Sequence, residues 1–296
     1  MILLMNIPDN APNNKKWIRV FRIVRRGQLE EITHLFSDKT SLNEIQLSLP
    51  EGVYTTLRTY QKTRVITFEY HIRRLVDSAQ RLGKVVLIRE QEIREALRQI
   101  IQAQKYAGEL RFRIYIDLAV NPGEIFIFVE PLETPPAEAY TQGVKVKTEF
   151  MKREHPEAKS TQFIAVAEAI RKEWINGFNE IIMVDETGEM LEGLSSNFFA
   201  IQGETVWTAG SGVLPGTTRQ IVLDILHELG IPTQFQGFNY RHLKSLDEAF
   251  ITSVSRGVLP VVVIDEVTIG DGKPGEVTRK MIQAFEQKIQ SLAKEI

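Results

Sequence analysis

The chain has 296 residues, with 36 Lys plus Arg against 38 Asp plus Glu and a formal net charge of −2. That balance speaks against a nucleic-acid binder, which carries a clear basic excess, while 43% hydrophobic residues suffice for a real core. The absence of cysteine excludes disulfides, thiolate nucleophiles, zinc fingers and iron–sulfur clusters.

The length points to two domains. The apolar stretch Met1 to Met5 is too short for a signal peptide and has no basic lead. No window approaches the roughly 20 apolar residues of a membrane span. The expectation is a cytoplasmic protein with no membrane partner. In chain order, residues 17–33 alternate apolar and polar around Arg26-Gly27, which predicts a hairpin. Val53 to Tyr60 is a β-rich strand. Thr67 caps a helix over 68–82, with Ile72, Leu75, Val76, Ala79 and Leu82 as its apolar stripe and Gly83 at its end. Arg74, Ser78 and Arg81 fall opposite that stripe, so periodicity makes theirs a solvated face. A second helix covers about 90–105, and strands 111–120 and 124–132 are joined by Asn121-Pro122-Gly123. Segment 133–143 has two prolines and no periodicity; it reads as a linker between domains 1–132 and 144–296.

The second half opens with a strand, VKVKTEF, and a loop, KREHPEAKS. A helix follows, with Phe163, Ala167, Ile170 and Trp174 on one face. EIIMVD, MLEG and NFFAIQ read as a meander. Helix 217–229 carries Ile221, Val222, Ile225, Leu226 and Leu229, and stops at Gly230 with Pro232 beyond. AFITSV and LPVVVID are strands, and an amphipathic helix runs from about 275. Antiparallel-looking runs of strands between helices favour an α+β fold over a doubly wound one.

No P-loop, dinucleotide fingerprint or GxSxG elbow occurs, and histidines 34, 71, 155, 227 and 242 show no metal-ligand spacing, so no metal is expected. Four pieces carry possible chemistry. Leu214-Pro215-Gly216-Thr217-Thr218-Arg219 feeds a Gly turn into a helix start. That suits a phosphate, or is an ordinary Pro-Gly turn with a Thr cap. Lys159 stands just before the helix beginning near Thr161. The helix dipole and partial burial would favour its neutral amine, as imine chemistry requires; the other reading is a solvated loop lysine among Lys152, Arg153, Glu154 and Glu157. Glu192, followed by Gly193 and small polar residues, lines a site or sits on a surface bulge. Arg74 follows His71 by three residues, with nothing local to make it functional.

The order HxxRL, a lone Lys after a Pro-containing loop, EGxxSN and LxGxTR, with GVYTTLR before and AFITSVSRGVLPVVVID after, resembles the class IV aminotransferases. These are fold type IV enzymes of pyridoxal 5'-phosphate (PLP), among them branched-chain and D-amino-acid aminotransferases and aminodeoxychorismate lyases. The resemblance implies a two-domain α+β fold, with a smaller N-terminal domain and a larger C-terminal domain holding a mostly antiparallel, barrel-like sheet. It implies that Lys159 forms the imine with PLP and shuttles the proton, that Glu192 pairs with the pyridine nitrogen, and that Arg74 binds the phosphate. Gly216, Thr217 and Thr218 would form the phosphate turn, Leu214 would pack on the ring, and Ser253-Val254-Ser255 would add a phosphate contact. Val254 stands where the family often has Thr; its amide or the Ser255 hydroxyl could serve instead. Arg256 is an extra cation, a substrate-carboxylate contact or a surface residue. Tyr54, Arg58 and Arg113 are expected on the substrate side, or on a solvated sheet face. The implied reaction moves an amino group from an amino acid, branched-chain-like first, to a 2-oxo acid in a homodimer. A D-amino acid or amine donor and a lyase of the aminodeoxychorismate type are the alternatives.

Overall fold

The computed structural model describes residues 17–24, 27–174 and 176–296. Met1 to Met5 and Arg26 of the expected hairpin turn lie outside the described residues. Strands β1 (Arg19–Ile23) and β2 (Leu29–Glu31) pair antiparallel, as the alternation predicts. Helix α1 (Leu42–Leu47) was not foreseen, because six residues hold too few turns to display a period; the Ser41 hydroxyl caps it by accepting the Glu44 amide. Strand β3 (Gly52–Arg58), the short β4 (Arg64–Val65) and helices α2 (Phe68–Arg81) and α3 (Glu90–Ala103) follow. Thr67 occupies the N-cap position of α2, but in a left-handed conformation with no side-chain cap bond, so the hydroxyl cap expected there is absent. Strands β5 (Leu110–Asp117) and β6 (Ile125–Pro131) complete a five-stranded antiparallel sheet in the order β2-β1-β6-β5-β3. Alternation along β5 buries Phe112, Ile114 and Ile116 beneath α2 and α3. It sends Arg111, Arg113 and Tyr115 to the opposite face, which also carries Tyr54 and Thr56 of β3.

The linker expected over 133–143 contains a helix, α4 (Ala137–Gln142), too short to register as a period. Then come β7 (Val144–Phe150), α5 (Gln162–Trp174), β8 (Glu180–Val184), β9 (Met190–Gly193), β10 (Asn197–Gln202) and β11 (Thr205–Trp207). Helix α6 (Thr217–Glu228), β12 (Thr233–Gln234), β13 (Glu248–Ser253), β14 (Gly257–Ile264), β15 (Val267–Thr268), α7 (Glu276–Leu292) and β16 (Lys294–Glu295) finish the chain. The second sheet runs β12-β11-β10-β13-β14-β7-β8-β9, with β15 added beside β14. It closes on itself because β9 also pairs with β10, through Glu192 opposite Asn197. Most pairings are antiparallel; β7 lies parallel to both β8 and β14, and β11 to β12.

Both faces of this barrel-like sheet are covered, so its strands read as continuous apolar runs. Phe198, Ile251 and Leu259 pack on one face, while Phe199, Phe250 and Val258 meet α6 and α7 on the other. Phe199 and Phe250 stack with centroids 4.7 Å apart. The last residues return to the first sheet's side: β16 pairs with β4, and Ile296 packs into the core under α2 and α3. Among the described residues, no helix is long and apolar enough to cross a membrane.

Candidate active site

A cavity of about 640 Å³ opens between the two sheets. Its floor is set by backbone pairing rather than by the helix dipole alone. Residues 159–161 run antiparallel along β3, the edge strand of the first sheet: the Tyr54 amide donates to the Lys159 carbonyl at 3.0 Å and the Thr161 amide to the Gly52 carbonyl at 2.9 Å. The Lys159 amide donates to the buried Ser78 hydroxyl at 3.0 Å. Lys159 Nζ then lies 4.7 Å from the centre of the Tyr54 ring.

Burial is the largest influence on Lys159. Reinforced by Arg74, Arg153 and Arg113, and opposed by Tyr54, it pulls the ammonium pKa down to about 8. Burial alone would raise the Tyr54 phenol, but Lys159, Arg113 and Arg153 outweigh it and bring the phenol to about 8. Glu192 is 3% exposed, and burial pushes its carboxyl up to about 7 against the pull of Arg153 and the Leu214 amide. Its two oxygens differ. Oε2 accepts from Asn197 Nδ2 and from the Leu214 amide, both at 3.1 Å. Among the described residues, Oε1 has no hydrogen bond and lies 3.6 Å from Arg153.

Arg74 and Ser78 do not lie on a solvated face. Arg74 is 6% exposed and Ser78 1%, because that flank of α2 packs on β3 and borders the cavity. Arg81, the third residue of that face, remains at the surface in an ion pair with Glu157. Arg74 Nη2 donates to Thr55 Oγ1 at 2.6 Å, and Thr55 in turn lies 2.8 Å from His71 Nδ1. With its own proton directed to His71, Thr55 is oriented by a neutral imidazole; burial, then Arg74 and Lys159, hold the His71 pKa well below its usual value. Arg74 Nε is left without a partner. Among the described residues, four more orphaned buried donors belong to residues bordering the same cavity: the hydroxyls of Thr217 and Thr252 and the Nε atoms of Arg113 and Arg153. Gly216 is the N-cap of α6 and offers no side-chain cap, so the helix's first amides stay available. A Cβ on Gly216 would meet Asn197 Oδ1 at 2.2 Å, so glycine is required where the turn crosses that side chain.

Leu214, Gly216, Thr217, Thr218, Ser253, Val254 and Ser255 all border the cavity. Ser253 and Ser255 are engaged, however: Ser253 Oγ accepts from Arg256 at 3.0 Å, and Ser255 Oγ from Arg111 at 3.5 Å. Thr252, absent from the sequence reading, supplies an unused hydroxyl instead. Arg153 was also missed. It looks like one of several loop charges, yet it is 9% exposed, lies over the Phe163 ring and pairs with Glu192. Neither residue carries a signal in the sequence beyond its position.

Arg58 does not border the cavity. It sits at the far end of β3 and turns back over the Tyr60 ring at 4.6 Å. Its register partner Arg111 borders the cavity in its place, held by buried Glu130. Tyr54 and Arg113 do meet there: the Arg113 guanidinium stacks 4.8 Å from the Tyr54 ring centre and donates to Asn43 Oδ1 at 2.8 Å. Asn43 and Arg171 both donate to Glu168. Arg256, neither a free cation nor a surface residue, pairs with buried Glu180 at 2.7 Å.

A subset of the orphaned atoms suits one ligand. Arg74 Nε, the Thr217 and Thr252 hydroxyls and the α6 amides present donors for a phosphate, while Glu192 Oε1 presents an acceptor for a ring N–H. Between them stands a lysine biased toward its neutral, nucleophilic form. A closed mixed sheet joined to a smaller antiparallel sheet, with this site in the cleft, defines the fold type IV architecture.

Comparison with known proteins agrees. The amino-transferase class IV family matches residues 52–264. A D-alanine aminotransferase of Staphylococcus epidermidis is 29% identical over 257 residues, spanning 81% of this chain and 89% of its own. The Escherichia coli branched-chain amino acid aminotransferase structure is 25% identical, with a TM-score of 0.73 over 91% of this chain and 93% of that one. A T.th. branched-chain amino acid aminotransferase solved with pyridoxamine 5'-phosphate shares the fold at 21% identity, with a TM-score of 0.77 over 94% of this chain and 98% of that one. The chain belongs to the class IV aminotransferases and is a PLP-dependent transaminase.

Proposed function

We propose that this transaminase takes an amino acid whose carboxylate is read by Arg113, and passes the amino group to a 2-oxo acid. The observation that carries the reading is the pairing of charges around the cavity. Arg111, Arg153, Arg171 and Arg256 each face a carboxylate: Glu130, Glu192, Glu168 and Glu180 in turn. Among the described residues, Arg74 and Arg113 are the cavity guanidiniums without a carboxylate partner. The reaction brings two anions, the cofactor phosphate and the substrate carboxylate. Arg74 lies with the threonine hydroxyls that suit the first, which leaves Arg113 for the second.

When bound, PLP supplies the electron sink that lets the donor Cα–H bond break. Lys159 Nζ would hold the cofactor aldehyde and, once released to its neutral form, move the Cα proton. Glu192 Oε1 would keep the pyridine nitrogen protonated, with Asn197 and the Leu214 amide fixing the carboxylate's other oxygen. Arg74, Thr217, Thr218, Thr252 and the α6 amides would hold the phosphate, and Leu214 would pack on the ring.

A branched-chain-like L-amino acid is the leading donor, supported by the Escherichia coli homologue. A D-amino acid is the second reading, favoured by the similarity to the Staphylococcus epidermidis enzyme. An amino-donor panel with 2-oxoglutarate and pyruvate as acceptors, followed spectroscopically, separates them. Transamination gives a reversible spectral change on adding amino acid and then 2-oxo acid. Pyruvate release without that reversal would instead identify a lyase. We further propose a cytoplasmic homodimer of two-domain subunits, divided near 133–143. Light scattering at twice the chain mass would support the dimer; a monomer carrying full activity would refute it.

A further inference from the structure

The β13–β14 turn is held by one side chain from three directions. Arg256 Nη2 donates to Glu180 Oε2 and to Ser195 Oγ, each at 2.7 Å, and reaches the Ser195 carbonyl at 3.3 Å. Its Nε donates to Ser253 Oγ at 3.0 Å, and its Nη1 lies 3.5 Å from the Asn179 carbonyl. Glu180 is 2% exposed and also accepts from Ser195 Oγ at 2.7 Å and Ser196 Oγ at 3.1 Å. The Arg256 carbonyl accepts the Tyr140 hydroxyl of α4 at 2.9 Å, which ties the same residue to the segment between the two sheets. Glu180 in turn packs against the residue that follows Glu192: a Cβ on Gly193 would meet Glu180 Cγ at 2.7 Å and Ser196 Oγ at 2.3 Å.

A guanidinium engaged on so many sides has little charge left for a substrate. We infer that Arg256 is a positioning residue, which with Glu180 locks the 253–256 turn to the loop behind Glu192 and so sets the two walls of the cofactor site against each other. Residue types explain the device. Arg forks across a carboxylate, two hydroxyls and two carbonyls at once, which the point charge of Lys cannot do. The buried carboxylate tolerates its location because four donors surround it, Arg256, the Ser195 and Ser196 hydroxyls and the Ile181 amide. The inference rests on the transaminase reading of the cavity but not on the identity of the donor.

The test uses Arg256→Met, Arg256→Lys, Glu180→Gln and the double variant Glu180→Gln/Arg256→Met, which leaves no unpaired charge buried. Each is measured for PLP affinity by absorbance titration of the apo-protein, and for kcat and KM with the best donor from the panel. Positioning predicts that Arg256→Met and Glu180→Gln each weaken PLP binding and lower kcat by about 10²-fold, as misplacement by an ångström does. KM should move less than about threefold, the double variant should be no worse than either single one, and Arg256→Lys should recover only part. Arg256→Met raising KM alone, with PLP affinity and kcat kept, would make Arg256 a substrate contact and overturn the proposal. A folded double variant with wild-type PLP affinity and kcat would overturn it equally. The PLP titration needs no donor, so a wrong donor assignment leaves this test readable.

Discussion

Lys159 and Glu192 are moved in opposite directions by the same cause. Burial favours the neutral form of each, bringing the ammonium down to about 8 and the carboxyl up to about 7. For Lys159 this means that the reactive amine accumulates as pH rises through about 8. The rate of PLP uptake by the apo-protein should climb across that range and then level off, as stopped-flow absorbance would record; a flat profile would contradict the assignment. Lys159→Ala should lower kcat by about 10²–10⁴-fold or more, the usual worth of a positioned proton-transfer group. Glu192 gives a stability effect of definite sign. Its folded pKa lies above the unfolded one, so its contribution is full below about 4.5 and is lost as pH rises through about 7. Apo Glu192→Gln should therefore gain on the parent protein between pH 5 and 8, by up to about 3 kcal/mol if the whole shift counts. Parallel denaturant curves at the two pH values would show that the carboxyl is not perturbed.

At the level of elements, α6 depends on a turn with no room for a side chain. Gly216→Ala places a methyl on Asn197 Oδ1, and Asn197 cannot swing aside without releasing Glu192 and the Leu214 carbonyl. Overpacking of this kind costs about 1–3 kcal/mol; we expect PLP affinity to fall by about tenfold or more, read by titration. The longer helices and the central strands are legible in the sequence because each buries one stripe or two faces over enough residues to display a period, whereas the six-residue α1 and α4 do not. The site was legible only in part. Arg74 and Ser78 sit opposite the apolar stripe of α2, and periodicity cannot distinguish water from a polar cavity as the reason for a polar face. Arg58 and Arg111 are register partners on neighbouring strands and share one face of the sheet, and nothing local tells which of the two reaches the cavity and which turns back over Tyr60. Arg153 and Thr252 become visible only when the chain's distant segments are brought together.

The molecule as a whole is tied across its two halves. The segment 159–161 pairs with the edge of the first sheet, and Ile296 returns from α7 to fill the core beneath α2 and α3. Ile296→Ala should cost about 2 kcal/mol or more through the cavity it leaves, and calorimetry should register this as a lower transition temperature. An unchanged transition would mean that the tail's packing is not stabilising. The barrel's closure has a dynamic implication as well. Its final rung, Glu192 opposite Asn197, is also the pair whose carboxylate we propose as the partner of the cofactor's ring nitrogen. A ligand held there braces a hoop at its joint. Amide hydrogens of 190–199 should accordingly exchange more slowly once PLP is loaded, while those of the first sheet's far strands β1 and β2 keep their apo rates. The coenzyme would then be part of what keeps the protein round, and its departure would loosen the structure first at the place where the next coenzyme must enter.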